Sequence, residues 1–288
     1  MTVRIKGEDV SLVRRAKRHR RFWWVAASVA VVALLVNLPW LYAIVVSFKP
    51  DGDIGRGAFV GFTPTVQHYA NALGASGYDF PRFFRNSILL ATGSVCLTLI
   101  IAVPATYSAI RLGFGGRMIM NAASGLRLLP AIFFAVPYFL LMTNLGLLDT
   151  VAGLIVANTF LNLPLAIILL SAGLRDIPVE VEEAAWVDGA GISRTLASVV
   201  IPLLAPTIGA VAVLVFIFSW NDYLFALVLS SSNAMPITMG AANFVTSTGI
   251  RWGDISAATV LSTLPPVLFA TFAQRYLVSG LSAGAVKG

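Results

Sequence analysis

The chain has 288 residues, of which 58% are hydrophobic and 11% are charged, and its mean hydropathy is +0.84. Soluble domains carry roughly a quarter charged residues, so this composition excludes a soluble enzyme, a disordered chain and a nucleic-acid-binding protein. The net charge of +7 is ordinary for a membrane protein, because basic residues are retained on the cytoplasmic side. The single cysteine, Cys96, excludes a disulfide framework and a cysteine metal cluster.

Six apolar runs are long enough to cross a bilayer core about 30 Å thick, which needs about 20 apolar residues per helix. The predicted spans are approximately 22–48, 86–110, 119–146, 150–174, 203–229 and 255–273. The first run follows a basic segment, residues 1–21, as the apolar region of a signal peptide would. It is longer than such a region and no small-residue cleavage pattern follows it, so we expect an uncleaved first span.

The basic residues predict the orientation of these spans. With a cytoplasmic N-terminus, 15 of the 20 Lys and Arg residues lie on the cytoplasmic side and 5 lie outside, as the positive-inside rule requires. Residues 22–274 then form one transmembrane domain, and the tail 275–288 is cytoplasmic. The largest exterior segment, 49–86, is too short for an independently folded domain.

The cytoplasmic segment 175–202, between the fourth and fifth spans, has the pattern of a short helix. Asp176 is predicted to cap its N-terminus, Pro178 suits its first turn, and Gly189 suits a left-handed stop. One side of this helix is predicted to hold Val181, Ala184, Ala185 and Asp188. Such a helix either docks on a partner or is a solvated connector that packs on its own chain, and its pattern leaves both readings open.

A longer motif surrounds this helix. Glu183-Ala184-Ala185, three residues, Gly189, nine residues and then Val199-x-Ile201-Pro202 resembles the EAA loop of the membrane subunits of binding-protein-dependent ABC importers. In that family the loop forms a coupling helix that docks in a cleft of the cytoplasmic ATPase subunit. The resemblance implies that the ATPase-coupling residues are Glu182, Glu183, Ala184, Ala185, Asp188, Gly189 and Pro202. The bulky Trp186 departs from the pattern.

Two further segments are similar to the carbohydrate branch of that family, the maltose-type second permease subunit. They are 218–223, Phe-Ser-Trp-Asn-Asp-Tyr, and the C-terminal residues 274–276 and 280–288. The resemblance implies an all-α integral membrane protein with the six-transmembrane-helix importer permease fold, cytoplasmic coupling helices and both termini in the cytoplasm. It also implies that the tail contacts the ATPase pair through Gly284 and Lys287.

Asp222 lies inside the fifth predicted span, where a carboxylate costs about 2.5–3.5 kcal/mol on insertion scales. It therefore faces protein or water. In one reading Trp220, Asn221, Asp222 and Tyr223 shape the substrate path or its exterior gate, and carboxylate, amide and aromatic groups suit a sugar. In the other, Asp222 makes an interhelical hydrogen bond that holds the bundle together. Arg127, near the cytoplasmic end of the third span, is expected to extend to the membrane interface.

Catalytic motifs are missing from the sequence. The four lysines are followed by Gly, Arg, Pro and Gly, so there is no Walker A sequence, and ATP and Mg²⁺ are expected to be used by a partner ATPase. No cofactor is expected on this chain. His19 and His68 are predicted to lie outside the spans, which leaves no buried histidine for a metal site or a catalytic triad.

These features predict one membrane subunit of a carbohydrate importer in the bacterial cytoplasmic (inner) membrane. The expected partners are a second homologous permease in a heterodimer, two ATP-binding subunits, an extracytoplasmic substrate-binding protein, membrane lipid and a sugar, with no nucleic acid. The binding protein is expected to dock on the exterior segments 49–86 and 230–254. A secondary transporter or channel would also explain six spans and Asp222, but it would not explain a coupling motif. An intramembrane enzyme lacks a catalytic set.

Overall fold

The structure is a computed structural model that describes residues 8–57, 61–75, 79–240, 244–246 and 249–282. Helices dominate this part of the chain, and one two-stranded antiparallel hairpin pairs Val245 with Ile250 and Thr246 with Gly249. In chain order the elements are α1 Glu8–Ser47, α2 Asp51–Ile54, α3 Gln67–Ala70, α4 Phe80–Ile110, α5 Gly116–Leu128, α6 Ala135–Asn144, α7 Val151–Arg175, α8 Val179–Val187, α9 Ile192–Thr195, α10 Ile201–Trp220, α11 Leu224–Leu229, α12 Ile237–Gly240, β1 Val245–Thr246, β2 Gly249–Ile250 and α13 Trp252–Ser282. Short π- or 3₁₀-helical turns cover Asn71–Ala75, Ala131–Phe134 and Leu196–Val200.

Five candidate membrane spans are present, or six, the predicted number, if one bent pair of helices is counted as a span. Five are helical runs of sufficient length and apolarity: Phe22–Ser47, Phe80–Ile110, Val151–Arg175, Ile192–Trp220 and Trp252–Thr271. The bent pair consists of Gly116–Leu128 and Ala131–Asn144, which are long and apolar enough only when taken together and are bent by 104°. An all-α multi-pass architecture is therefore confirmed.

Two spans differ from their predicted form. The third is broken rather than continuous, because Pro130 disfavours a helical conformation in the residue before it, and Leu129 is extended at φ −82° and ψ 131°. The fifth begins earlier than residue 203 and ends at Trp220, while the apolar residues up to 229 form the separate helix α11. Only the bend after α5 interrupts a run that hydropathy predicts to be continuous, because Ile192–Trp220 is long enough to be a span by itself.

The prolines elsewhere do not break their helices. Pro39, Pro104, Pro164 and Pro206 lie inside continuous helices, as do Pro265 and Pro266.

Helices α4, α7 and α10 pack closely at the centre of the bundle. Gly93 of α4 lies against Ile155 of α7, and Gly173 of α7 lies against Thr207 of α10, so that a Cβ atom at either glycine would collide with its neighbour. Two of these three helices start at a side-chain cap: Asp79 accepts a bond from the Arg82 amide (3.3 Å), and Thr150 accepts one from the Gly153 amide (3.1 Å). These contacts fix the level at which each span places its polar residues.

Candidate coupling site and substrate path

Helix α8 occupies the segment predicted to couple to an ATPase. It starts at Val179 after Pro178, which has no side-chain cap bond, and Asp176 ends the preceding helix α7. The prediction that Asp176 caps α8 is therefore wrong. Pro178 itself provides the fixed φ that suits a helix start, so no capping carboxylate is needed there.

Gly189 ends α8 in the predicted left-handed conformation, with φ +84°. Its amide donates to the carbonyl of Trp186 (3.0 Å), and the next amide, of Ala190, donates to the carbonyl of Ala185 (2.9 Å). This bond pair is the Schellman motif, which needs a residue at positive φ and so favours glycine. The chain reverses at this point and enters α9.

Glu182 is the buried residue of α8, with 0% of its surface exposed. Arg111, at the end of α4, donates from Nε to Glu182 Oε1 over 2.6 Å, and its Nη2 donates to the carbonyls of Leu174 (2.8 Å) and Ile177 (2.6 Å). One guanidinium thus joins the end of α4, the end of α7 and helix α8. A buried charge pair with further hydrogen bonds is a strong, geometrically specific contact.

The other predicted coupling residues lie outside this buried contact. Glu183, Ala184, Asp188 and Gly189 are exposed, and Ala185 is half-buried. Pro202 is exposed too, but it lies ten residues inside the run Ile192–Trp220 rather than at the start of a span. Glu182 therefore faces its own chain, whereas Glu183 is free to meet a partner surface.

Residues 220–223 lie at the end of the fifth span, between α10 and α11. Trp220 is buried in an aromatic cluster, with its ring 5.8 Å from those of Phe84 and Phe216. Asn221 and Tyr223 are exposed. The structure brings Asp222 to α7 instead, away from the aromatic cluster, so the four residues do not converge on one surface.

Asp222 makes the interhelical hydrogen bond that the second reading expects. Asn158 Nδ2 of α7 donates to its Oδ2 over 3.0 Å, and the amide of Phe225 donates to Oδ1 over 3.3 Å. The second bond caps α11. The same carboxylate also lines an open cavity of about 250 Å³, so the structural role and a place on the substrate path are compatible.

Arg127 is an exposed residue. It lies at the end of α5, at the break of the third span, and lines the same cavity as Asp222 and Asn158. Its guanidinium lies over the Phe218 ring, 5.9 Å from the centroid. The extension of its side chain to the cytoplasmic interface stays a prediction.

The exterior loop after α11 is held by one carboxylate. Asp149 accepts four backbone amides, those of Ser231, Ser232, Asn233 and Ala234, at 2.9–3.1 Å. Burial alone would raise the pKa of Asp149, but these amide donors outweigh it and hold the pKa well below its usual value. Asn86 of α4 also donates, to the carbonyls of Asn233 and Met235, so the loop is fixed to two spans.

A buried histidine occurs on the same side, which corrects the prediction that there is none. His68 is 2% exposed. Its Nδ1 lies 2.8 Å from Asp254 Oδ1, and its Nε2 lies 2.7 Å from the carbonyl of Lys49. Arg251 pairs with the same aspartate. Within the described ranges no group of His, Cys, Asp and Glu could hold a metal ion, so this contact joins α3 to α13. Gly284 and Lys287 lie outside the described residues.

Comparisons with known proteins agree with this architecture. Residues 94–283 match the family described as binding-protein-dependent transport system inner membrane component. The chain is 34% identical over 261 residues to the trehalose/maltose transport system permease protein MalG of Thermococcus litoralis, covering 90% of this chain and 94% of that one. It is also 34% identical over 275 residues to the trehalose transport system permease protein SugB of Mycobacterium tuberculosis, covering 94% and 99%.

The fold has a solved counterpart. A chain from a bacterial ABC transporter involved in the import of the acidic polysaccharide alginate superposes with a TM-score of 0.74 at 24% identity, over 90% of this chain and 98% of that one. The matched family segment includes most of α4, all the later membrane helices up to Thr271, α8 and the loop that Asp149 holds. The chain therefore belongs to the binding-protein-dependent transport system inner membrane components, which are multi-pass proteins of the inner membrane.

Proposed function

We propose that this chain is one permease subunit of an ATP-driven, binding-protein-dependent carbohydrate importer, and that it forms half of the translocation path. The observation that carries this proposal is α8, a short helix outside the spans that is anchored to its own chain on one side and exposed on the other. The carbohydrate class is supported by the similarity to permeases named for trehalose and maltose transport.

The exposed side of α8 is the proposed ATPase contact. Glu183 would make polar contacts there, Ala184 and Ala185 would allow close packing, and Gly189 would reverse the chain between two short helices. Asp188 lies at the same end of α8. Glu182 has a different role from the other coupling residues: it would hold α8 in place through Arg111 rather than touch the ATPase.

Arg111 provides the mechanical link. Because its guanidinium bonds to α8 and to one carbonyl in the last turn of α7 and one just after it, a displacement of α8 would be transmitted to the cytoplasmic ends of α4 and α7 together. Packed helices move as rigid bodies when an interface shifts. Closure of two partner ATPase subunits on ATP and Mg²⁺ would thus reach the spans as rotation, and this chain would carry out no chemistry on the sugar.

The exterior side would receive the substrate-binding protein. The segments 49–86 and 230–254 are the proposed docking surface, and the loop held by Asp149 and Asn86 lies within the second. A second, homologous permease would complete the path. Gly284 and Lys287 would add an ATPase contact from the C-terminal tail.

The test is affinity purification of the tagged chain from mild detergent. Wild type should bring down an ATPase subunit and a second permease, and Glu183→Lys should lose the ATPase. Asp176→Lys is the matched control, because it reverses the charge of an exposed acidic residue at the same end of the bundle but outside α8. Retention of the ATPase by Glu183→Lys would remove the coupling assignment, and sugar uptake by this chain alone in ATP-free vesicles would favour a secondary transporter.

A further inference from the structure

An open, basic cavity lies at the cytoplasmic end of the bundle, where α4 ends, α5 begins and α7 ends. Its volume is about 740 Å³, and three of the side chains that line it are those of Arg111, Arg117 and Arg175. Within the described part of the chain, no acidic residue lines it. Arg117 and Arg175 have no role in the proposed function, so this cavity calls for a separate explanation.

Close contacts between helix ends bring the three arginines together. Arg111 Nη2 donates to the carbonyl of Leu174 over 2.8 Å, which places the end of α4 beside Arg175. Gly116 packs so closely on the carbonyl of Ala109 that a Cβ atom there would lie 2.5 Å from the oxygen, which places the first turn of α5 beside the same end of α4. The fold therefore fixes the backbone around the cavity on all three helices.

Two of the three positive charges in the cavity are not neutralised. Arg111 is paired with Glu182. The side chains of Arg117 and Arg175 make no ion pair or hydrogen bond with any residue that the structure describes. Asp176 follows Arg175 in the chain, but it is exposed and does not pair with it. Like charges around one cavity repel each other, and an anion between them would be attracted by both.

The cavity lies at the depth of the lipid phosphates and has apolar neighbours. The apolar run of α4 ends at Ile110 and that of α7 ends at Leu174, and an arginine follows each, so the cavity is at the edge of the bilayer core. Phe114 and Met118 lie within three residues of Arg117 and are 72% and 73% exposed. Aromatic side chains are enriched at this membrane interface. Positive charge beside exposed apolar groups matches a phospholipid, which carries a phosphate and acyl chains, better than a soluble anion.

We propose that this cavity binds the phosphate group of an anionic phospholipid from the cytoplasmic leaflet, with Arg117 and Arg175 as the donors. Guanidinium groups bind phosphate oxygens through paired hydrogen bonds, and basic pockets between membrane helices on the cytoplasmic side are typical sites for anionic headgroups. The volume lies within the range of about 300–1,000 Å³ for ligand pockets. The bound lipid would connect α5 to α7 beside the contact that Arg111 makes with α8.

The first test counts lipids on the full chain by native mass spectrometry, after purification in detergent and removal of lipid. Phosphatidylglycerol is the anionic probe, and phosphatidylcholine with the same acyl chains is the zwitterionic probe. Wild type should retain one phosphatidylglycerol at concentrations at which it retains no phosphatidylcholine. One basic side chain near the membrane surface contributes about fivefold to the affinity for anionic lipid. Arg117→Gln should therefore lower the affinity about fivefold, and Arg117→Gln with Arg175→Gln about 25-fold.

Arg194→Gln is the matched control, because Arg194 is an exposed arginine on the same side of the membrane that does not line the cavity. It should bind phosphatidylglycerol as wild type does. Arg117→Lys with Arg175→Lys keeps both charges and should retain most of the binding. Equal retention of the two lipids by wild type would show that the acyl chains alone determine binding and would overturn the site. Equal losses in Arg194→Gln and Arg117→Gln would show a diffuse effect of surface charge and would also overturn it.

Thermal unfolding distinguishes a lipid from a soluble anion. In detergent without lipid, the double Gln variant should unfold at the wild-type temperature, because Arg117 and Arg175 make no side-chain contact of their own. Phosphatidylglycerol should raise the unfolding temperature of wild type, since a ligand stabilises the state that binds it, and should raise that of the double variant much less. The shift is compared within each variant, so a change in baseline stability does not affect it. If inorganic phosphate protects wild type as well as phosphatidylglycerol does, the cavity takes a soluble anion and the lipid assignment is wrong.

The assembled importer tests whether a protein occupies the cavity instead. Phosphatidylglycerol should remain bound, one per copy of this chain, in the complex that co-purifies with the ATPase and the second permease. If the chain alone binds the lipid but the complex contains none, a partner subunit covers the cavity and the proposal is overturned. Because the lipid count does not depend on the cargo or on coupling, its failure would leave the proposed function intact.

Discussion

Arg111 and Glu182 form an ion pair across 2.6 Å, although 71 residues separate them in the chain. The carboxylate is fully buried and the arginine side chain is 12% exposed. Both groups are largely shielded from water. Removing either one would leave the other charge buried without a partner, which is strongly destabilising. It is one of the contacts that attach α8 to the bundle.

Arg111→Ala should destabilise the cytoplasmic end of the bundle by about 3–5 kcal/mol, since it leaves a buried carboxylate without its partner. Thermal unfolding of the detergent-purified chain measures this effect. Arg117→Ala, an exposed arginine at the same end, should leave the unfolding temperature unchanged. The double variant Arg111→Ala with Glu182→Ala should recover part of the loss, because the unpaired charge is then removed. A strictly additive double variant would contradict the pairing.

The spans and the end of α8 could be predicted from the sequence because their determinants are local. Runs of apolar residues specify a span wherever they occur, and Gly189 is required by the φ of its own residue. The assignment of α8 to coupling depended on resemblance. Physical reasoning on the segment itself left a solvated connector equally open.

The pairings could not be predicted, because they join residues that are distant in the chain. In the sequence alone, Arg111 is one of several basic residues at the ends of spans, and Asp149 is a carboxylate in a loop. Nothing near either residue in the chain indicates its partner. The sequence also did not show that the helix breaks at Pro130, because Pro104 and Pro164 lie in similar apolar runs and their helices continue. Which proline breaks a helix depends on whether neighbouring elements satisfy the freed carbonyls, and this is a property of the fold.

Gly189→Ala should weaken the attachment of the ATPase, because a side chain at φ +84° costs about 1–2 kcal/mol in the left-handed region. Co-purification of the ATPase with the tagged chain reports this change. Gly191→Ala is a close control: both glycines have open space around a Cβ atom, but Gly191 has an ordinary φ of −75°. Gly189→Asn should retain more ATPase than Gly189→Ala, since Asn tolerates this conformation. Equal retention by Gly189→Ala and Gly191→Ala would disprove the conformational requirement.

The contact between Asp149 and the exterior loop should persist when the pH is lowered moderately. A lowered pKa in the folded state means that the stabilisation is complete above the usual pKa of about 3.9 and is lost only as the pH falls through the lower folded value. Asp149 has a positive φ of 54°, which asparagine also tolerates. Asp149→Asn therefore removes the charge with little change in backbone strain.

Hydrogen exchange of the amides of residues 231–234 measures this contribution. Protection in wild type should exceed that in Asp149→Asn by a constant factor from neutral pH down to about pH 5, which is above the usual carboxyl pKa. The difference should narrow at lower pH, where the carboxylate takes up its proton. A difference that disappears near neutral pH would show that the charge of Asp149 does not hold the loop.

Gly253 allows the buried contact between His68 and Asp254 to form. A Cβ atom at this position would overlap the imidazole ring of His68, and the ring is held on both nitrogens by Asp254 and by the carbonyl of Lys49, so it cannot move aside without losing a bond. Gly253→Ala should therefore destabilise the junction of α3 and α13 by about 1–3 kcal/mol, as overpacking of a filled interior does. Gly52→Ala, on the same side of the bundle with nothing near its Cβ position, is the control, and thermal unfolding is the measurement. If the two variants unfold at the same temperature, His68 has room to move and the contact is not rigid.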